Sequence, residues 1–462
     1  MTTDGTEKET GPKGLFIVGG IVKEVVTTSE PQTVREHLSS LLQVKNLVVL
    51  LGSGASFHLG SPKTRNLSNR EVLRLIMDAG SEPTSADESL LATMNPTDSG
   101  DLERLLNGLQ LAASLASQAG QDAVRLGSGV AAYSYTKDQV NGLRQRINRA
   151  LAAACRLPKK GEQLDSPFDN DPLLAHRTFL LRILRNRRGS LPRPLIFTTN
   201  YDLVIERALD ELGYPYIDGF SGTVDRRLNL VVYGLDFHRV ETTSQSVLAR
   251  AEGALYLHKV HGSLNWRSST DRDRVTELES LEVRQREAPA EDDELVLIYP
   301  TSAKEGDTLA YPYSDLLRLL GDAVQQEDTA VIVAGYGFAD AHINRLLLRS
   351  LATNSALNVL VADPYAVLED EDMAALTSDA QQRKVDDLDF TPKRTAIAAL
   401  ARASDSRIAV LTGEPGKFTE FAKLLPAASQ QGETPTAVVS LIEALERAAR
   451  TSAEQVPGSD LL

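Results

Sequence analysis

Short apolar runs alternate along the chain with segments whose apolar residues recur at every third or fourth position. Strands are predicted at 46–52, 194–200, 254–262, 294–300, 329–337, 358–364 and 407–413. A short apolar run that ends at glycine or at polar residues is typical of a strand buried in a parallel sheet. Because helical patterns separate these runs, we predict an α/β fold with a doubly wound, mainly parallel Rossmann-like sheet.

The stretch between the first two of these strands has a different pattern. Its apolar residues recur at helical spacing, as in the series Leu102, Leu105, Leu106 and Leu109. Such spacing predicts amphipathic helices. We therefore expect residues 85–189 to form an inserted helical subdomain, within a Rossmann domain built from residues 45–84 and 190–415.

The remaining segments flank or interrupt this domain. Residues 1–44 are expected to form a partly disordered N-terminal extension, with a polar leader at 1–13 and a strand or hairpin at 14–28. Residues 416–462 are expected to form C-terminal helices, one of them at 436–450, and a tail. The charged residues 268–294 predict an exposed excursion from the sheet.

The charge balance excludes one class of function. The chain carries 49 Lys and Arg against 63 Asp and Glu, a net charge of −14. Broad binding to a nucleic-acid backbone needs a basic surface, so no direct binding of this kind is expected. The first residues contain no apolar signal core, and no apolar run is long enough to span a bilayer, so we expect a cytoplasmic protein that does not enter membranes.

The single cysteine, Cys155, limits the covalent and metal chemistry. One cysteine allows neither an intramolecular disulfide nor a zinc site made of several cysteines. Its alanine-rich, helical surroundings predict a small buried apolar residue rather than a nucleophile. Among the seven histidines, His258 and His261 lie three residues apart with no cysteine nearby, so no metal site is expected.

Four motifs follow predicted strands at their carboxyl ends, where open α/β sheets bind ligands. They are GSGAS (52–56), TTNYD (198–202), HGSLNW (261–266) and GYGFADAHIN (335–344). Glycines in such loops let the backbone approach a phosphate, and free amide groups can bind the anion. The first motif is not a Walker A loop, because no Gly-Lys-Ser/Thr follows it.

Each motif also has a purely structural explanation. Glycines suit a tight turn between a strand and a helix, and Asn200, Asp202 or Asp340 can cap the helix that follows. A lone histidine such as His261 is more often a core residue with satisfied hydrogen bonds. The only tryptophan, Trp266, can equally pack in the core or line a site.

The ordered set GSGAS, TTNYD, HGSLNW and GYGFADAHIN resembles the sirtuin-like family (SIR2-like domain) of bacterial NAD-hydrolysing enzymes in anti-phage defence, whose members include a HerA-associated type. The resemblance covers residues 45–75 and 190–365. Two departures from sirtuin deacetylases stand out. HLGSPKTRNLS (58–68) replaces the Pro-Asp-Phe-Arg segment, and the two cysteine pairs of the zinc ribbon are missing. Both argue against removal of acyl groups from lysine.

The resemblance implies roles for particular residues. Asn200 orients the attacking water, His261 acts on that water or on a ribose hydroxyl as a general base, and Asp202 holds the nicotinamide carboxamide. The residues expected to bind NAD are Gly52, Ser53, Gly54, Ser56, Thr199, Asp202, Gly335, Gly337, Asp340 and Asp363. Of these, the first four lie under the pyrophosphate. Gly335, Gly337 and Asp340 contact the ribose and phosphates on the adenine side, and Asp363 is a further candidate for the adenosine end.

The activity implied is that of an NAD⁺ glycohydrolase, which consumes NAD as substrate, needs no metal and releases nicotinamide and ADP-ribose. Uncontrolled loss of NAD is toxic, so we expect gating by a homo-oligomer assembled through the helical insert and terminal segments, or by a partner such as a HerA-type hexameric ATPase. A bundle whose helices pack only among themselves is the alternative for the insert. The alternatives for function are an NAD-dependent protein deacylase or ADP-ribosyltransferase, and a non-catalytic module that senses NAD or ADP-ribose.

Overall fold

The computed structural model describes most of the chain. The described residues are 14–27, 30–60, 67–100, 102–127, 133–155, 171–241, 247–272, 279–285, 295–297, 312–365, 380–388 and 395–427. The leader expected at 1–13 and the helix expected at 436–450 lie outside these residues.

Eighteen strands and eleven helices are described. The strands are β1 Gly14–Val18, β2 Ile21–Val26, β3 Asn46–Leu51, β4 Ala123–Leu126, β5 Tyr133–Thr136, β6 Leu195–Thr198, β7 Tyr216–Ile217, β8 Phe220–Ser221, β9 Arg226–Leu228, β10 His238–Glu241, β11 Val247–Arg250, β12 Leu255–Lys259, β13 Gly262–Arg272, β14 Glu279–Gln285, β15 Leu295–Leu297, β16 Thr329–Ala334, β17 Leu357–Ala362 and β18 Ile408–Gly413. The helices are α1 Gln32–Leu42, α2 Asn69–Asp78, α3 Ser85–Met94, α4 Leu102–Gln118, α5 Lys137–Ala154, α6 Leu174–Asn186, α7 Val204–Leu212, α8 Tyr313–Gln325, α9 Ala341–Thr353, α10 Thr395–Arg402 and α11 Phe418–Leu424.

The central sheet has nine strands in the order β2-β1-β18-β17-β16-β3-β6-β12-β7. The seven strands from β18 to β7 are parallel, and the hairpin of β1 and β2 adds two antiparallel strands at one edge. The predictions of a mainly parallel, doubly wound sheet and of a strand or hairpin at 14–28 are confirmed.

Helices cover both faces of this sheet, as the continuous apolar runs require. Along β3, Val48 and Leu50 pack with α8 and α9 on one face. The neighbouring residues Leu47, Val49 and Leu51 pack with α1, α6, α7 and α11 on the other face. All six residues of β3 are buried, which explains why the strand could be predicted from an apolar run without alternation.

The helices of the expected insert divide between two cores. α3, α4 and α5 share a hydrophobic cluster with α2 and with the hairpin of β4 and β5, whereas α6 packs against the central sheet. Within the cluster, the carboxylate of Asp87 is fully buried and paired with Arg146 at 2.6 Å. This module therefore has its own core, and its helices bury apolar faces against one another.

A second sheet has five strands in the order β15-β13-β14-β9-β8, of which β8 and β9 precede β12 in the chain and β13, β14 and β15 follow it. The charged stretch expected to be an excursion contains part of β13 and all of β14, which pair antiparallel between Trp266 and Arg272 on one strand and Glu279 and Gln285 on the other. The apolar run at 294–300 contributes β15 to this second sheet, not to the parallel one. Pairing between strands decided both outcomes, and pairing is not visible in local composition.

The parallel sheet reverses its winding beside β3. From β3 the chain continues to β6 on one side, and from β16 it continues to β17 on the other. The chain therefore leaves β3 and β16 towards opposite sides of the sheet. Such a point is a topological switch point, where open α/β sheets bind ligands.

These two loops touch backbone to backbone. The amide of Gly54 donates to the carbonyl of Gly335 at 2.8 Å. Gly335 has φ +64°, and a Cβ atom there would lie 2.2 Å from the nitrogen of Ala55. A Cβ on Gly54 would in turn lie 2.8 Å from Cα of Gly335. Only glycine satisfies both the dihedral angle and the contact.

We predict that Gly335→Ala destabilises the protein by more than the roughly 1–2 kcal/mol that a left-handed alanine costs by itself, because the new methyl group meets backbone atoms. Gly213→Ala is the matched control: Gly213 has φ +69°, and a Cβ atom there would meet no atom within 4 Å. Urea unfolding of both variants measures the difference. Equal losses of unfolding free energy would contradict the loop–loop contact.

Candidate functional site

Four loops meet at the carboxyl edge of the parallel strands, and backbone hydrogen bonds connect them. The amide of Gly52 donates to the carbonyl of Ala334 at 3.1 Å, and the amide of Thr199 donates to the carbonyl of Leu51 at 3.0 Å. Because β3 lies between β16 and β6, these bonds fix the loops on both sides to the glycine loop. Three of the predicted motifs are thus contiguous.

The glycine loop forms a 3-10 turn at Ser53–Ala55. The amides of Gly54, Ala55 and Ser56 all donate to carbonyls within the protein, as does the amide of Gly52. The amides that were expected to be free for an anion therefore already have partners. The side chain of Ser53 is exposed, whereas Ser56 is buried.

Ser56 and Asn200 form the first buried polar pair of the site. Nδ2 of Asn200 donates to Oγ of Ser56 at 3.2 Å, and the amide of Asn200 donates to Oγ1 of Thr198 at 3.0 Å. Both Ser56 and Asn200 are buried. The structure thus brings together residues from two motifs that are 144 positions apart in the sequence.

His261 and Asp340 form the second buried pair. Nε2 of His261 lies 3.0 Å from Oδ2 of Asp340, and both side chains are buried. The other carboxylate oxygen of Asp340 accepts hydrogen bonds from the amides of His342, at 2.8 Å, and Ile343, at 3.1 Å, and caps α9. Asp340 was expected to contact the adenine side of NAD, and the structure gives it these partners within the chain.

The surroundings of Asp340 favour its charged form. Burial by itself would raise the pKa of this carboxyl group. The hydrogen bonds from His261 and from the amides of Ile343 and His342 outweigh that effect and lower the pKa to about 2. Asp340 is therefore a carboxylate throughout the neutral range.

The loop that carries Asn200 rests on a buried ion pair. Nζ of Lys259 lies 3.0 Å from Oε1 of Glu206 and donates to the carbonyl of Asp202. Burial raises the pKa of Glu206 although Lys259 acts in the opposite direction. Asp202 accepts a hydrogen bond from the amide of Val204 at 3.2 Å, but the N-cap residue of α7 is Leu203 and no side chain caps this helix.

Sequence reasoning assigned no role to Lys259 and Glu206. The available signal was a lysine inside the apolar strand LYLHK and a glutamate within the amphipathic α7. A charged residue at such a position is seldom buried without a partner. The partner could not be identified, because the two residues lie on different elements.

Cys155 is the C-cap residue of α5. Burial raises the pKa of its thiol to about 12, with a smaller contribution from the negative charge of Asp202. The thiol is therefore protonated at neutral pH, in line with the expectation that Cys155 is not a nucleophile.

Two histidines of this region are buried, His261 in its pair with Asp340 and His258 among aromatic rings. His258 is stacked between Phe197 and Tyr233, with ring centroids 4.2 Å and 4.1 Å away. Burial lowers its pKa to about 3, so it stays neutral. Trp266 is also a core residue: it is 1% exposed and meets the ring of Phe220 edge-on at 5.3 Å.

The remaining predicted residues lie along the same edge. Asp363 follows β17, is 2% exposed, and accepts a hydrogen bond from the amide of Tyr365 at 2.8 Å. Gly337 precedes Phe338, which has φ +52°. Nδ2 of Asn344 donates a hydrogen bond to the carbonyl of Phe338 at 2.8 Å and so helps to hold this residue in its strained conformation.

Neither a membrane span nor a metal cluster occurs among the described residues. No helix in the described ranges is long and apolar enough to cross a membrane. Within the same ranges, no group of three or more histidine, cysteine or acidic residues is arranged to hold a metal ion.

Part of this chain is similar to one known protein family. The model of the SIR2-like domain matches residues 194–389, which include TTNYD, HGSLNW and GYGFADAHIN but not the glycine loop at 52–56. The comparison with curated proteins gave no match.

Several solved structures are also similar. A Sir2 homologue in complex with NAD is 16% identical, with 71% of this chain and 82% of that chain covered and a TM-score of 0.33. An ADP-ribose complex of a Sir2 homologue mutant is 13% identical, with 80% and 95% covered and a TM-score of 0.31. Values this low give no residue-by-residue correspondence. Residues 194–389 are similar to the SIR2-like domain.

Proposed function

We propose that the protein is an NAD⁺ glycohydrolase that cleaves the bond between nicotinamide and ribose. One observation carries the proposal: the pairs Ser56–Asn200 and His261–Asp340 are buried at the carboxyl edge of the sheet, beside its switch point. A helix cap or a turn needs neither an asparagine amide nor a histidine ring held in such a pair. The motif order and the SIR2-like domain match at 194–389 support NAD as the substrate.

The proposed reaction proceeds through a ribose with oxocarbenium character, as in other glycoside cleavages. The bond between C1′ and the pyridinium nitrogen breaks, and its electron pair leaves with the nicotinamide, which becomes neutral. Water held by Asn200 forms the new bond to C1′, and His261 accepts the water proton. The products are nicotinamide, ADP-ribose and one proton.

The rest of NAD is proposed to lie along the same edge. Thr199 and Asp202 would contact the nicotinamide end, and the loop at 52–56 with Gly335, Gly337 and Asp363 would hold the phosphates and the adenosine. The exposed hydroxyl of Ser53 is a donor that needs no rearrangement. The loop amides would have to exchange an internal hydrogen bond for one to phosphate.

Asn200→Ala should abolish nicotinamide release while the protein stays folded, since misplaced water typically slows such a reaction by roughly two orders of magnitude or more. Purified protein is incubated with NAD without any acylated peptide, and nicotinamide and ADP-ribose are quantified. Asn354→Ala is the matched control: Asn354 is 9% exposed, like Asn200, but lies at the opposite edge of the sheet. A wild-type rate for Asn200→Ala would refute the mechanism, and release that requires an acylated peptide would favour a deacylase.

His261→Ala should reduce kcat much more than it weakens NAD binding, because a general base acts mainly in the transition state. Steady-state kinetics together with calorimetric titration of NAD separate the two effects. His258→Phe serves as the control, since it keeps a ring between Phe197 and Tyr233 and should affect only stability. If His261→Ala kept its kcat at saturating NAD and lost affinity instead, His261 would be a binding residue.

We further propose that the activity belongs to anti-phage defence and is gated by assembly or by a partner, with a HerA-type hexameric ATPase as the class that the motif resemblance implies. The helical module offers a surface for self-assembly. Leu111 and Leu115 lie one turn apart on α4 and are 53% and 56% exposed, although most apolar residues of that helix face the module's own core.

Light scattering at micromolar concentration should accordingly give a mass above the 50.2 kDa of one chain. The double variant Leu111→Glu and Leu115→Glu should lower that mass and the activity, because each new charge would be desolvated in the contact. A wild-type protein that stays monomeric and is fully active would exclude assembly as the gate.

A further inference from the structure

We infer that Asp340 is a positioning residue that selects the tautomer of His261, so that Nδ1 is the nitrogen that accepts the proton. The inference rests on the proposed function for its chemical step. Its structural half concerns only which ring nitrogen carries hydrogen, and that half can be measured without any substrate.

The carboxylate of Asp340 is fixed from two sides. Oδ1 accepts the amides of His342 and Ile343 at the start of α9, which sets the rotation of the carboxylate. Oδ2 is then left 3.0 Å from Nε2 of His261. A residue that only capped the helix would not need its second oxygen on a buried imidazole.

The backbone of Asp340 is held as well. The amide of Asn344 donates to the carbonyl of Asp340 at 3.0 Å, and the hydroxyl of Tyr336 lies 3.3 Å from that carbonyl. The same hydroxyl donates to Oδ1 of Asn344 at 3.0 Å. The backbone of Asp340 is thus fixed, and a rotation of its carboxylate away from His261 would break the hydrogen bonds from the amides of His342 and Ile343.

The direction of the hydrogen bond follows from the charge state of the aspartate. An ionised carboxylate can only accept hydrogen bonds, and the pKa of Asp340 is about 2. Nε2 of His261 must therefore be the donor. A neutral imidazole carries one hydrogen, so Nδ1 is left with a free lone pair.

In the proposed reaction, the proton of the attacking water moves to Nδ1 as the oxygen bonds to C1′ of the ribose. The ring then carries one positive charge, and the carboxylate of Asp340 stabilises it at Nε2. The proton later passes from Nδ1 to solvent. Asp340 itself neither gains nor loses a proton in this cycle.

Asp340→Asn tests the inference because asparagine is as good an N-cap as aspartate. The side-chain oxygen would stay on the amides of α9, and the NH₂ group would take the place of Oδ2. Nε2 of His261 would then have to accept, so the hydrogen would move to Nδ1 and the base would be lost. We expect kcat to fall by about 10²–10⁴-fold, with KM nearly unchanged and little change in Tm.

Ser68→Ala is the control for a purely structural role. Ser68 caps α2 in a capping box with Glu71 and belongs to none of the four motifs of the site. Its loss should lower the Tm of the protein without changing kcat or the histidine tautomer. A positioning role and a capping role are separated by this comparison.

The tautomer is read directly from ¹⁵N NMR of histidine-labelled protein, with the His261 signals identified by their loss in His261→Ala. The expected result is an Nε2–H ring in the wild type and an Nδ1–H ring in Asp340→Asn. An Nδ1–H ring in the wild type, or an unchanged kcat in an Asp340→Asn protein that cleaves NAD, would overturn the inference. A wild type that shows the Nε2–H ring but cleaves no NAD in any oligomeric state, with or without a HerA-type ATPase, would refute the proposed function and leave the positioning role standing.

Discussion

The candidate site depends on the direct backbone contact between two loops at the switch point of the sheet. Gly54 and Gly335 approach so closely that neither position has room for a Cβ atom. Ser56 follows one of these loops and Asp340 ends the other. The geometry of both buried polar pairs therefore depends on a contact between backbone atoms alone.

The polar groups behind this edge are buried, and burial of an unpaired charge is costly. Each of these buried charged groups has hydrogen-bond partners. Lys259 is bonded to Glu206 and to the carbonyl of Asp202. Asp340 is bonded to His261 and to two backbone amides. A buried ion pair contributes little net stability. The ion pair instead helps to fix the position of the loop that carries Asn200, through the bond from Lys259 to the carbonyl of Asp202. The same loop is also bonded to the glycine loop, through Asn200 and Ser56.

Several predictions succeeded because the interactions behind them are local in the sequence or depend only on the burial of apolar residues. β3 and β16 are apolar along most of their lengths and fully buried. The strands β13 and β14 were missed, since their charged residues are stabilised by pairing across the hairpin. The division of the helices was also hidden, because amphipathic spacing shows that α2 and α6 each bury one face but not which core receives it.

The sequence by itself determined the fold class and the edge of the sheet where the motifs collect, because buried strands and the polar loops after them are encoded in consecutive residues. Only the tertiary structure decided which of two histidines three positions apart is neutral core and which is paired with a carboxylate. It likewise decided that Asp340 bonds to His261 as well as capping α9, and that Gly54 and Gly335 pack against each other. The contact between His261 and Asp340 joins residues 79 positions apart, and one-dimensional periodicity carries no information about contacts at such a separation.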